Sequence, residues 1–430
     1  MSASGRQPIN APSGAPASSG VPWVGLGILV VLTLILAAFV AHFFFDVGAD
    51  SGRDGAGSND AGSDSPLVIA PPGEVSGTSA TSLGYPIVAT RNTTRISGTD
   101  PVDISLAAAL AAYPTTGPGT PPSAVSIVSA EDWQAGIVAS SFSARPIGSP
   151  ILLAPSGKLS EDGLDVVEQL DPTSSPTTGL AEVFTFGDIA PPTGYGVKAV
   201  VGTDPAALAV NAAELKFKLG GSPDAFVVVS SEDPGFSVPA ATWAARSGDV
   251  VLFTGTREVP KETIRFLKKK VNADVPVFVL GPPEAVSADA FKQLGKVTKT
   301  LERVAGSDPA ANSVALVTFS SGSFGWNLND PGHGYTVARA DRPMDTIAST
   351  PLSTGGTWPA VLLTEGSSEL SQVVLDYLLD VKPGYDTDPT RALYNHLWII
   401  GDESVIDVDQ QAVIDDAAEL TPVETLNTVP

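Results

Sequence analysis

From about residue 83 onward, short continuous apolar runs alternate with longer stretches whose apolar positions recur every three or four residues. The first pattern predicts strands buried on both faces; the second predicts helices. Ala124–Ser129, Ser149–Ala154 and Val183–Phe186 read as strands, separated by helical stretches through Ala139 and Phe142 to Ala144 and over Leu159–Leu170. The order then repeats. Ala225–Ser230, Val250–Thr254 and Val277–Leu280 read as strands, with helices ending at Thr242–Arg246 and spanning Lys261–Val271. A third, divergent round follows. Its first helix is short or merges with Val314–Val317, and an irregular stretch from Ser320 to Thr357 stands where the other rounds have a strand and a helix. Pattern returns with a strand in Trp358–Thr364, a helix over Leu370–Leu379 and a strand over Leu397–Ile400.

A short motif punctuates this alternation. Gly98-Thr99-Asp100-Pro101, Gly202-Thr203-Asp204-Pro205 and Gly306-Ser307-Asp308-Pro309 lie 104 residues apart each time. A fixed long period marks duplicated structural units. Asp suits a helix N-cap, and Pro suits the first helical position because its missing N–H would be unpaired there anyway. The motif therefore reads as a repeated strand-to-helix turn; the alternative is that the three carboxylates hold a ligand. After the first motif, Leu106, Leu110 and Tyr113 line one helix face, as do Leu208, Ala212 and Leu215 after the second. The expected fold is α/β: three small parallel-sheet units, over 83–190, 191–294 and 295–430, with right-handed crossovers. Periodicity leaves open whether they form a pseudo-threefold assembly or a row.

The N-terminal portion follows different rules. Residues 1–22 are rich in Ser, Ala, Gly and Pro and are expected to be a disordered tail. Residues 23–45 form an uncharged apolar run opening with Trp23 and closing with Phe43-Phe44-Phe45. That is long enough to span a bilayer as a helix. No small-x-small cleavage site closes it, so it reads as an uncleaved anchor rather than a signal peptide. Residues 46–82, with Gly, Ser and Asp predominating, read as an acidic linker. Arg6 before the run and Arg53 after it leave only a weak orientation bias. The long C-terminal portion is expected outside the cytoplasm, held to the cell membrane by a single pass.

Charge and composition narrow the chemistry. The 430 residues carry 24 Lys+Arg against 47 Asp+Glu, a net charge of −23, which disfavours nucleic-acid partners. There is no Cys, hence no disulfide, thiolate metal site or Cys nucleophile, and only three His. The linker carboxylates lack EF-hand spacing. No metal site or cofactor is expected: the chain has no Walker loop, dinucleotide fingerprint, His-Glu-x-x-His pair or Gly-x-Ser-x-Gly elbow.

The ordered set of motifs resembles the cell wall binding repeat 2 family of surface proteins. Arg95-Ile96-Ser97-Gly98-Thr99-Asp100 and Arg303-Val304-Ala305-Gly306-Ser307-Asp308 are similar to its opening motif. Val125–Asp132 and Phe226–Asp233 resemble its strand with a following acidic loop, Ser149–Leu153 its Pro-Ile-Leu-Leu strand, and Phe278–Gly281 and Trp398–Gly401 its closing strand. The resemblance covers about residues 85–425 and implies non-covalent attachment to an anionic bacterial cell wall polymer through three repeats packed as a pseudo-trimer. The chain departs from the family where Pro101, Pro205 and Pro309 replace a usual Arg.

Two sets of residues are candidates for ligand contact. Lys261, Arg265, Lys268 and Lys269, with Lys270, form one basic cluster that would suit an anionic polymer or else be a solvated helix face. The Gly325–Tyr335 loop combines Trp326, Asn327, Asp330, His333 and Tyr335, types suited to stacking on a sugar and hydrogen-bonding it. The carboxylate pairs Glu131/Asp132 and Glu232/Asp233 do not establish the separation glycoside hydrolysis needs. The expected function is therefore a non-catalytic, membrane-anchored wall-binding protein; the alternative is an extracytoplasmic receptor for a small ligand or sugar, using crevices at strand ends.

Overall fold

The computed structural model describes residues 87–115, 119–269, 272, 274–356 and 358–423. Met1–Ala70 and Pro71–Pro430 separate as two units, and everything described belongs to the second. The tail 1–22, the apolar run 23–45, the linker 46–82 and Lys270 lie outside the described residues. Among the described residues, no helix is long and apolar enough to cross a membrane.

The chain opens with β1 (Ile87–Ala89) and β2 (Thr93–Ile96), followed by α1 (Pro101–Ala112). It continues through β3 (Val125–Ser129), α2 (Trp133–Ser143), β4 (Ile151–Ala154), α3 (Glu161–Leu170), β5 (Val183–Phe186) and β6 (Val197–Val200). The second round is α4 (Pro205–Lys218), β7 (Phe226–Ser230), α5 (Pro234–Ser237), α6 (Pro239–Ser247), β8 (Val250–Thr254), α7 (Lys261–Leu267), β9 (Val277–Leu280), α8 (Ala288–Leu294) and β10 (Leu301–Val304). The third is α9 (Pro309–Thr318), β11 (Gly334–Arg339), α10 (Pro343–Ser349), β12 (Ala360–Thr364), α11 (Gln372–Asp380), β13 (Gly384–Tyr385), β14 (His396–Ile400), α12 (Val408–Ala417) and β15 (Thr421–Pro422).

These strands build three main sheets, ordered β4-β3-β5-β6, β8-β7-β9-β10 and β12-β11-β14-β2-β1, and β13 pairs with β15 in a small two-stranded one. All ladders in them are parallel except the edge pair β1–β2. Sheet membership does not follow the sequence units 83–190, 191–294 and 295–430. The strand before each motif completes the sheet that the preceding round began, and the helix after the motif packs on the next sheet: α1 on β4, α4 on β8, α9 on β12. Each motif is thus a hand-off between sheets. In the third sheet the corresponding place is taken by β2, which precedes the first motif: β2 pairs with β14 from Thr93–Leu397 to Ile96–Ile400. The three sheets therefore close head to tail rather than standing in a row.

The helices at the centre explain why the ring holds. α2, α6 and α10 touch one another in all three pairings. α2 and α6 are rich in small residues, mostly Ala and Ser, which lets their backbones approach closely. A Cβ on Gly136 would stand 2.7 Å from Ile347 Cδ1 and Cγ2 of α10. One apolar cluster runs through all three sheets, joining Ile96 and Ile400 to Val128 and Phe184 and to Val228 and Phe278. Two further clusters cover the other faces of the third and first sheets, around Val337, Leu362 and Ile399 and around Ile127, Leu152 and Val166. Burial on both faces is what the continuous apolar strands require.

Two sequence readings need correction. The stretch Ser320–Thr357 is not irregular throughout, since it holds β11 and α10. β11 interleaves Thr336 among its apolar residues, and α10 is short and carries the buried Asp345, so neither has the usual signature. The helix expected over Lys261–Val271 ends at Leu267, and Lys268 follows as its C-cap.

Candidate functional site

The motif carboxylates are helix caps. Asp100 Oδ1 accepts from Val102 N at 2.8 Å, Asp204 Oδ1 from Ala207 N at 2.9 Å and Asp308 Oδ1 from Ala311 N at 2.7 Å. This engages each of them within its own helix. The Arg in the opening motif is also structural. Buried Arg95 donates from Nη1 to Gly401 O at 2.8 Å and from Nη2 to Gln411 Oε1 at 2.6 Å. Arg303 repeats the arrangement, donating to Gly281 O at 2.5 Å and Val286 O at 2.7 Å. Gly401 and Gly281 both have left-handed φ, so each guanidinium braces the turn after a closing strand.

The basic cluster lies on exposed α7 and the turn after it. Arg265 pairs with Glu262 and Lys269 with Glu214 of α4, which offsets two of the cluster's charges, while Lys261 and Lys268 are exposed. A shallow groove of about 220 Å³ runs beside it, lined by Phe217, Phe266, Lys269 and Asn272 among others. Exposed pairs of this kind contribute little stability and leave a mixed-charge surface rather than a clamp for polyanions.

The Gly325–Tyr335 segment is divided by the fold. Phe324 stacks on Phe278 of the second sheet, with ring centroids 4.0 Å apart, and packs edge-on to Trp243 at 5.1 Å. Trp326 meets the same Trp243 at 5.5 Å. These aromatics fasten the third round to the second. Tyr335 belongs to β11 and is fully buried, its hydroxyl accepting from Tyr377 Oη at 3.0 Å. Burial pushes the Tyr335 phenol up to about 12. Tyr335 is thus a packing residue, which corrects its reading as a ligand contact; Trp326 packs on Trp243 but stays partly exposed. Asn327 and Asp330 are exposed. His333 is half-buried: its N–H donates to Asn395 Oδ1 at 3.2 Å, and its carbonyl accepts from His396 N at 3.0 Å. Burial draws the His333 pKa down, and the charge of Asp330 opposes it.

The acids after the first strands brace neighbouring loops. Glu131 accepts from Ser129 Oγ at 2.5 Å and Ser156 N at 3.3 Å; Glu232 accepts from Thr256 Oγ1 at 2.7 Å. Beside Glu232, at the carboxyl ends of β7 and β8, an open crevice of about 440 Å³ is lined by Gly255, Thr256, Arg257 and Glu258. Among the described residues, no cluster of His, Asp or Glu is arranged to hold a metal ion.

A smaller and more enclosed pocket, of about 140 Å³, lies between the end of α1 and the third sheet. Ala111 and Ala112 form one wall and Pro351 and Leu352 another; Gly355, Gly356 and Pro359 form the rim, and Trp398 of β14 the remaining side. Sequence reading missed it because Trp398 looks like one more apolar residue of a buried strand. The available signal was alternation: Leu397 and Ile399 are fully buried, whereas His396 and Trp398 between them are only partly so.

No family model matches the chain, and no curated protein matches it. Solved structures do. Cwp6 from Clostridium difficile aligns with a TM-score of 0.61 at 16% identity, over 76% of this chain and 48% of that one. Cwp8 from the same organism aligns at 0.57 and 15%, over 76% and 52%. The chain thus spans about half the length of these structures, and at this identity the likeness establishes a shared fold.

Proposed function

We propose that this protein attaches without catalysis to a bacterial cell wall polymer from the outer side of the membrane, tying membrane and wall together. The carrying observation is the closed ring of three α/β sheets, a fold shared with Cwp6 and Cwp8 across three quarters of the chain. The motif resemblance to the cell wall binding repeat 2 family supports the same reading, and the apolar run at 23–45 supports the anchor. Arg265 and Lys269 are already paired, and the net charge is −23, so attachment on this reading depends on shape and hydrogen bonding more than on charge. The crevice at the ends of β7 and β8 supports a second reading, a receptor for a small ligand or sugar.

The test is retention of the full chain, in mild detergent, on wall sacculi before and after removal of the secondary polymers. Retention on native sacculi and loss on stripped ones is expected, with little change between low and high salt. Equal retention on both would exclude the polymer as the ligand. No retention on either at any salt would overturn wall attachment and leave the receptor.

A further inference from the structure

We propose that the outer face of the first sheet, at β5 and β6, is the docking site for a basic amphipathic helix of a partner protein. The three sheets differ there. In the second, α8 lies between β9 and β10: Arg303 Cζ of β10 stands over Phe291 of α8, 4.8 Å from the ring centroid, and Arg303 donates to Val286 O just before that helix. In the third, α12 follows β14 and packs on β14 and β2, with Arg95 and Thr93 of β2 bonded to its Gln411. In the first, β5 runs to β6 through residues 187–196 with no helix between them. Arg95, Ala199 and Arg303 each stand three residues before a motif glycine, so Ala199 holds the place of the two arginines.

The face left open is apolar in the middle and acidic at the rim. Val197 packs against the outer cluster of the first sheet and Val200 belongs to the central one, so by strand alternation Val197 and Ala199 look outward. Ile189 and Tyr195 of the connection cover part of this face. Ala199 stays exposed, and Val201, just past the strand, is 59% exposed. Strands of a parallel sheet are normally covered on both faces. Leu164 of α3 is a further exposed apolar side chain, and Glu168, one turn on, shares its helix face. Burial pushes the Tyr195 phenol up, and the charges of Glu168, Glu182 and Asp171 act the same way, which sets three carboxylates around this ring. Glu182 accepts from Gly196 N at 2.7 Å; among the described residues, none of the three is in an ion pair. Lys198 is on the opposite side of β6, beside Gly179. A helix laid here as α8 and α12 are laid elsewhere must be apolar toward Val197, Ala199 and Val201 and basic toward the carboxylates.

The chain has no cysteine, so one introduced thiol reports contact at a chosen point. Val201→Cys puts it on the open face, and Val408→Cys puts it on the exposed side of α12 as the control. The full chain, in phosphatidylcholine nanodiscs, is mixed with either of two helical peptides of about 14 residues, about four turns. One is built of Leu and Lys, the other of Leu and Glu. Each carries on its apolar face a single cysteine held as a mixed disulfide with thionitrobenzoate, whose release by the protein thiol is read by absorbance. Rates are divided by each thiol's rate with the free reagent. Docking raises the effective concentration, so the Leu/Lys helix is expected to react about tenfold faster at Val201→Cys than at Val408→Cys, and the Leu/Glu helix no faster. Adding Ala199→Arg fills the face with the side chain that the other two sheets carry at this place, so the melting temperature is expected to hold while the advantage disappears. Glu168→Gln with Asp171→Asn should reduce it; Asp380→Asn with Asp409→Asn, an equal change of charge on the third sheet's helices, should not. No advantage at Val201→Cys, equal rates for the two peptides, equal reduction by both charge pairs, or an advantage that survives Ala199→Arg overturns the site. Val201→Cys chains that oxidise to disulfide-linked pairs without peptide, where Val408→Cys chains do not, would show a second copy on this face and overturn the partner helix.

Discussion

Lys216 is the most unusual single residue. It is fully buried on α4, and its ammonium donates at 2.5 Å to two main-chain carbonyls, Ser141 O and Gly248 O. These sit at the ends of α2 and α6, so one side chain spans the junction between the first two sheets. Charge at a helix C-terminus suits a cation. Burial nevertheless lowers its pKa to about 7, with Asp249 opposing. Asp249 is itself buried, accepting from Ala225 N and from Trp243 Nε1, each at 2.9 Å. The folded pKa of Lys216 lies below its unfolded value, so between about pH 10 and pH 7 the unfolded chain takes up a proton that the folded chain refuses. This contribution to stability is present at high pH and declines as pH falls through that window. Lys216→Met removes the titration. The stability advantage of the parent over Lys216→Met, from urea unfolding, is expected to be greatest near pH 10, at about 1–3 kcal/mol for the stranded carbonyls, and to fall and reverse toward pH 7, because the pKa shift is worth more than that. A gap constant with pH would mean that Lys216 is not titrating in the fold.

Among the elements, the hand-off motif carries the most information, and it was largely legible. Its Asp and Pro signalled a helix start, and the start is there three times. Its Gly has a separate reason that spacing did not reveal. A Cβ on Gly202 would lie 2.2 Å from Leu208 N, and one on Gly306 2.1 Å from Ala311 C, so only Gly lets the entering strand cross so close to the helix backbone. At Gly98 the nearest atom is the Ile104 side chain, at 2.9 Å. Asp204→Ala should cost about 1 kcal/mol, the usual value for a lost cap. Gly202→Ala and Gly306→Ala should cost more, because backbone cannot yield as a side chain does, with Gly98→Ala milder than either. Denaturation midpoints rank the four variants; Gly306→Ala costing less than Asp204→Ala would refute the crossing argument. Other elements were harder to read, for identifiable reasons. Trp326 and Phe324 have the composition of a sugar platform and the packing of a plug, and only their partners Trp243 and Phe278 tell the two apart. β11 was hidden by Thr336, a polar residue inside a buried strand.

At the scale of the whole molecule, periodicity left a ring and a row equally open, and only the family resemblance pointed to the pseudo-trimer. Apolar runs announce that strands will be buried in a parallel sheet but do not say beside which neighbour. The pairing of β2 with β14 spans nearly the full described chain. Arg95 is the side chain that makes this closure specific. Its guanidinium bridges from β2 to Gly401 O and Gln411, and Gln411 Nε2 returns a hydrogen bond to Thr93 Oγ1 at 2.9 Å. Arg95→Ala strands these buried acceptors, each worth about 1–3 kcal/mol when left unpaired. The same side-chain loss in an autonomous third sheet would melt that sheet alone. Here the apolar cluster containing Ile96 and Ile400 also contains residues of both other sheets, and α10 packs against α2 and α6. Opening the closure therefore weakens the common core. Arg95→Ala is expected to shift a single urea transition to a lower midpoint, with its slope unchanged and with tryptophan fluorescence and far-UV circular dichroism coincident. Two separated transitions would mean that the three sheets fold independently and that β2 merely caps an edge.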